Sequence, residues 1–173
     1  MKKKYFWVIV AVLTVASIVS FLVWDELETN IRRYSVYYAK HIPHGKDTDP
    51  VLAMTMENLD YLNRPNLKNY SYYSDALNSI MVGDAFDFST IGSGYMLEKL
   101  HEPREVYYFT PSGKFDSYIL LNEDKTAPEV SDMRKREAFK FAYDILQPII
   151  DSQPIPGINL QWYFNWKYQK RFE

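Results

Sequence analysis

The chain has 173 residues, 20 basic against 22 acidic, and a formal charge of −2. Setting aside Lys2, Lys3 and Lys4 leaves 17 basic against 22 acidic residues, a balance of −5 that lacks the basic footprint nucleic-acid phosphates require. With no cysteine there is no disulfide, thiolate nucleophile or Cys-zinc site, and no cofactor-binding motif is found, so no cofactor is expected.

Residues Tyr5 to Trp24 carry no charge and are followed abruptly by Asp25, Glu26 and Glu28. Twenty residues in a helix span about 30 Å, the thickness of a bilayer's hydrocarbon core. Aromatic residues stand at both ends, Tyr5, Phe6 and Trp7 before and Phe21 and Trp24 after, where headgroups accommodate them. The run is longer than the apolar centre of a signal peptide, and the small residues around Ser17 lie inside it, so a retained anchor at 5–24 contacting membrane lipid is expected. The lysines before it predict a cytoplasmic tail at 1–4, placing residues 25–173 outside the cytoplasmic membrane.

Leu27, Ile31, Tyr34 and Tyr38 recur at helical spacing, predicting a stalk that continues to about Lys40, with loop to residue 49. The remaining 50–173 has the size of one domain. Asp49-Pro50 reads as an N-cap with proline at the first helical position, opening an amphipathic helix over 50–63. Ser71 or Ser74 is expected to cap a second helix through Met81, with Gly83 as its breaker. Gly92-Ser93-Gly94 reads as a flexible joint and Tyr95 to His101 as a short helix.

Two β-rich runs around Pro111-Ser112-Gly113 predict a hairpin over 105–121. Pro128 or Ser131 opens a helix whose seam is Ala138, Phe141, Ala142, Ile145, Leu146 and Ile149, with Pro148 ending or kinking it. From Ile158 to Tyr168 large apolar residues alternate with mostly amide, Tyr or Lys positions, predicting a strand over 158–168. The expected fold class is therefore α+β, an antiparallel sheet packed on helices behind one membrane helix.

The densest polar cluster is the segment 41–49, in which His41, His44, Asp47 and Asp49 are the candidate metal ligands. Imidazole and carboxylate together suit zinc, manganese or iron, and an open position would activate water. The His-x-x-His spacing in a Pro/Gly loop lacks the i,i+4 helical geometry of a metalloprotease pair. A Ser93–His101–Asp87 or Asp84 triad lacks the nucleophile elbow, and a glycosidase carboxylate pair among Asp84, Asp87, Glu98 and Glu102 has only Tyr95 beside it. Among 15 tyrosines, Tyr70, Tyr72, Tyr73 and Tyr163 are the candidate binding residues, for protein or glycan. Elimination leaves a non-catalytic protein-binding or accessory domain of the cell envelope, of inhibitor, immunity or assembly-factor type, with another envelope protein as partner. The alternative is a metal-dependent envelope hydrolase using the 41–49 cluster.

Overall fold

The computed structural model describes residues 2–73, 78–121 and 131–173. Helix α1 runs from Lys2 to Arg33, and α2 (Ser35–Ala39) continues it after a break at Tyr34. Helix α3 spans Pro50–Glu57. Six strands follow: β1 Tyr70–Tyr73, β2 Ser79–Val82, β3 Phe86–Ile91, β4 Gly94–Lys99, β5 Glu105–Phe109 and β6 Phe115–Leu120. Helices α4 (Asp132–Asp151) and α5 (Gln161–Phe172) complete the chain. The strands form one antiparallel meander in the order of the sequence, so the fold class is α+β as expected.

Long enough and apolar enough to cross a membrane, α1 has none of its apolar window buried against the rest of the chain. Burial begins beyond it. Ile31, Val36, Tyr38, Ala39 and Ile42, from the stretch expected as stalk and loop, belong to the hydrophobic core.

Local chemistry sets several boundaries. Asp49 caps α3 by accepting from the Leu52 amide at 2.9 Å, with Pro50 at the first helical position, where its missing N–H costs nothing. The helix stops at Glu57, short of the expected 63. Ser131, not Pro128, caps α4 by accepting from the Arg134 amide, and Pro128 lies outside the described residues. The seam of α4 is as expected, with Ala138, Ala142, Ile145, Leu146 and Ile149 buried. Pro148 does not end the helix. Lacking an N–H, it cannot bond the Asp144 carbonyl, and the Tyr70 hydroxyl donates to that oxygen at 3.5 Å.

Three expected elements are corrected. The helix from Ser71 or Ser74 to Met81 is instead β1 and β2, with residues 74–77 outside the described set. Gly83, at φ +55°, belongs to the turn between β2 and β3 and caps no helix. The supposed helix at 95–101 is β4, and Gly92-Ser93 is the two-residue turn of a hairpin, since Ile91 pairs with Gly94. Gly94 has to be glycine because a Cβ there would lie 2.4 Å from the Phe109 carbonyl oxygen.

The third correction is the strand at 158–168, which is helix α5. Leu160, Phe164, Tyr168 and Phe172 stand four apart and face the core, and Trp162 and Trp166 stand four apart and face outward. All but Phe172 occupy even positions within 158–168, so a period of two and a spacing of four fit the same letters. The expected hairpin is present as β5 and β6.

One face of the sheet meets the helices. Ile80, Phe88, Tyr95, Leu97, Tyr107 and Phe109 are all buried there. Phe86 lies 5.7 Å from Phe141 and Phe109 lies 5.5 Å from Phe139, ring centre to ring centre, which joins the sheet to α4. Glu105 is buried on the same face, where Arg134 (2.8 Å), the Tyr107 hydroxyl (2.8 Å) and Lys99 (3.6 Å) surround its carboxylate. Burial, with Glu105 beside it, raises the Tyr107 hydroxyl far above its ordinary pKa.

Candidate functional site

The 41–49 segment is a clasp. The Gly45 amide donates to the Phe172 carbonyl at 2.7 Å, the Thr48 hydroxyl to the same oxygen at 2.9 Å, and the Asp49 amide to the Ser112 carbonyl at 2.9 Å. The segment thus ties the end of α5 to the turn between β5 and β6.

Its four candidate ligands do not converge. His41 Nδ1 bonds the Tyr37 carbonyl at 2.7 Å, and His44 Nδ1 bonds the Gly45 carbonyl at 3.0 Å. Asp47 pairs with Lys135 of α4 at 2.8 Å, and that contact lowers its pKa. Asp49 is spent on its cap and on the Tyr143 hydroxyl, which donates to both of its oxygens at 2.8 and 3.0 Å. Burial first, and Asp49 second, push the Tyr143 hydroxyl far above its ordinary pKa. Among the described residues, no group of three or more His, Asp or Glu is placed to hold a metal.

The four candidate tyrosines are also dispersed. Tyr70 and Tyr72 are half-buried on the inner side of β1, and the Tyr72 hydroxyl donates to the Pro65 carbonyl at 2.9 Å. Tyr73 is exposed on the opposite side. Tyr163 is buried, and its hydroxyl donates to Glu28 at 2.7 Å; burial first, with Glu28, raises its pKa to about 12. A ring held this way cannot stack on a glycan, although its neighbours Trp162 and Trp166 are open to solvent.

Two adjoining depressions of about 420 and 430 Å³ share Ser93, Gly94, Tyr95 and Pro111. Their polar groups are largely committed to the fold. The Tyr95 hydroxyl donates to the Ala53 carbonyl at 3.0 Å, and Arg171 is held by Glu57 and the Pro111 carbonyl. Thr90 Oγ1, buried without a partner, lines the second depression. His101 is exposed at the other end of β4 from Ser93, so no Ser–His–Asp arrangement is formed there.

The outward face of the sheet is the surface that individual residues did not advertise. Strand alternation and register place Tyr73, Met81, Asp87, Ser89, Ile91, Met96, Glu98, Val106, Tyr108 and Ile119 on it. Among the described residues no helix layer covers this face, in contrast to the inner one. A solvated sheet face is normally polar. Here apolar side chains run across all six strands, with Ile119 and Tyr73 at the two edges more than two-fifths exposed and Val106 between its neighbours buried. Asp87 and Glu98 are directly opposite each other, and Arg104 pairs with Glu98. Burial, reinforced by Glu98, raises the pKa of Asp87, whose Oδ1 is buried without a partner. The signal was available in the sequence only as Met81, Met96, Val106 and Ile119, and required the strands and their register to become a surface.

No protein-family model matches the chain, and no curated protein or solved structure is similar to it.

Proposed function

We propose that the chain is a single-pass membrane protein whose α+β body lies outside the cytoplasmic membrane and binds another envelope protein, as an inhibitor, immunity or assembly factor does, without catalysing a reaction. The observation that carries this reading is the outward sheet face. The surface is broad and mixes apolar with charged side chains, and the first depression opens only at its edge, beside Ile91 and Tyr108; such a face suits a protein partner better than a small substrate, and methionines adapt to the shape they meet. Membrane insertion is supported by an apolar helix window with no burial in the chain, since such a surface is tolerated only when another medium covers it. Lys2, Lys3 and Lys4 favour a cytoplasmic start.

The test is cross-linking in native membranes followed by affinity capture of the full-length protein, alongside Met96→Glu and Ile119→Glu variants. A stoichiometric envelope protein captured by the wild type and at least tenfold less by the variants is expected. Capture that the two variants leave unchanged sinks this surface as the partner face. The topology is checked in intact cells with His101→Cys, because the native chain has no cysteine. Labelling by a membrane-impermeant thiol reagent is expected, and labelling only after lysis would reverse the orientation.

A further inference from the structure

Helix α5 leaves two tryptophans in solvent, Trp162 at 66% and Trp166 at 69% exposure, one turn apart on the face opposite Phe164 and Tyr168. Ile155 and Ile158, in the loop that leads into the helix, are 77% and 69% exposed. Two exposed tryptophans at i,i+4 form one patch, and large apolar rings in such a patch ordinarily mark a contact surface.

The patch is continuous with α1. Trp166 stacks on Tyr163, ring centres 5.6 Å apart and planes 18° apart, and Trp162 lies 5.6 Å from the same ring. Tyr163 in turn meets Trp24 edge-on at 6.0 Å. Trp24 is the last residue of the uncharged run, so α5 is held at the level where that run ends. One turn further along α1, Glu28 accepts from the Tyr163 hydroxyl and pairs with Lys167, which locks the two helices together. Lys170, exposed on the same side of α5 as Trp166, adds a cation.

We propose that α5 and the loop before it lie in the boundary between headgroups and acyl chains of the bilayer that α1 crosses, with Trp162, Trp166 and Ile158 facing lipid. This rests on the reading of residues 5–24 as a membrane span. Tryptophan is suited to that boundary because its ring is apolar while its N–H keeps a polar partner, and Lys170 meets the phosphates. The buried Phe164 and Phe172 and the half-buried Tyr168 hold the helix to the core, so lipid contact costs no rearrangement. The body is then seated on the membrane at two points and does not swing at the end of a stalk.

The test uses the full-length chain in vesicles of phosphatidylcholine and phosphatidylglycerol, with an environment-sensitive fluorophore on a single introduced cysteine. Gln169→Cys places the label beside the patch, and Val12→Cys places it within the span. Strong quenching of both labels by lipids carrying a spin label near the headgroup or in the chain is expected. Combining Trp162→Ser and Trp166→Ser is expected to reduce quenching at position 169 several-fold and leave position 12 unchanged. A label at 12 that is quenched beside one at 169 that is not overturns the seating of α5 while the span stands. Neither label quenched overturns the span and the seating with it. Quenching at 169 that survives the double substitution overturns the role of the tryptophans.

Discussion

Asp87 is the residue whose environment is least explained by folding alone. It sits directly opposite Glu98 on the outward face, one of its oxygens is buried without a partner, and burial, then Glu98, raises its pKa. As pH rises the unfolded chain ionises this carboxyl first, near its ordinary value of 3.8. Stability associated with Asp87 is therefore complete below that pH and is lost as pH climbs through the raised value. Asp87→Asn removes the cost of ionising a half-buried carboxyl opposite a like charge, a change on the scale of one cross-strand pair, about 0.2–1 kcal/mol. The variant is expected to be more stable than the wild type by that order at pH 7, and equal to it below the ordinary aspartate value. Chemical denaturation of the detergent-solubilised protein at both pH values measures the difference, and equal stability at pH 7 would refute it.

At the scale of elements, α5 separates pattern from packing most clearly. Leu160, Phe164, Tyr168 and Phe172 face the core, while Trp162 and Trp166 of the same helix are in solvent. Had the segment been a strand with all even positions on one face, Phe164 and Trp166 would have been equivalent. As a helix they are opposites. Phe164→Ala removes a fully buried ring and is expected to cost about 3–5 kcal/mol, whereas Trp166→Ala is expected to stay within about 0.5 kcal/mol in detergent. Denaturant midpoints of the two variants decide it, and similar losses would contradict the helix. The same reasoning explains Asp49-Pro50 and Ser131, whose boundary roles depend on their own backbone amides and needed no distant partner.

For the whole molecule, the boundary between the uncovered apolar run and the packed body falls within α1. The core takes side chains from Ile31 onward, and Tyr38 is fully buried with its hydroxyl donating to Asn30 at 2.8 Å and accepting from the Leu160 amide at 3.2 Å. A chain beginning at Asp25 keeps every one of these contacts, and is expected to unfold cooperatively with the secondary structure of the intact body. A chain beginning at Gly45 loses Ile31, Val36, Tyr38, Ala39 and Ile42 together, and is expected to show no cooperative transition because several fully buried side chains, each worth about 1.5–3 kcal/mol, leave at once. Circular dichroism against denaturant tests both, and a cooperative transition in the shorter chain would place those residues outside the essential core.

The sequence by itself determined what depends on neighbours along the chain: the uncharged run at 5–24, the cap at Asp49, the seam of α4, the hairpin at 105–121 and hence the α+β class, while leaving Pro128 or Ser131 as the opening of α4. Each is a short-range statement about periodicity, solvation or a side chain reaching its own backbone. Only the tertiary structure decided that 70–73, 79–82 and 94–99 are strands, because runs this short carry no decisive period and are committed only when a neighbouring strand pairs them. It also decided that α5 is a helix, since two periods fitted the same residues until the core selected one. The histidines and carboxylates of 41–49 looked like ligands because they are close in sequence, yet each is drawn to a different partner in the fold. The outward face and the aromatic link from Trp24 to Trp166 join residues up to 142 positions apart in the numbering, and contact between such distant residues is the property that composition and spacing do not encode.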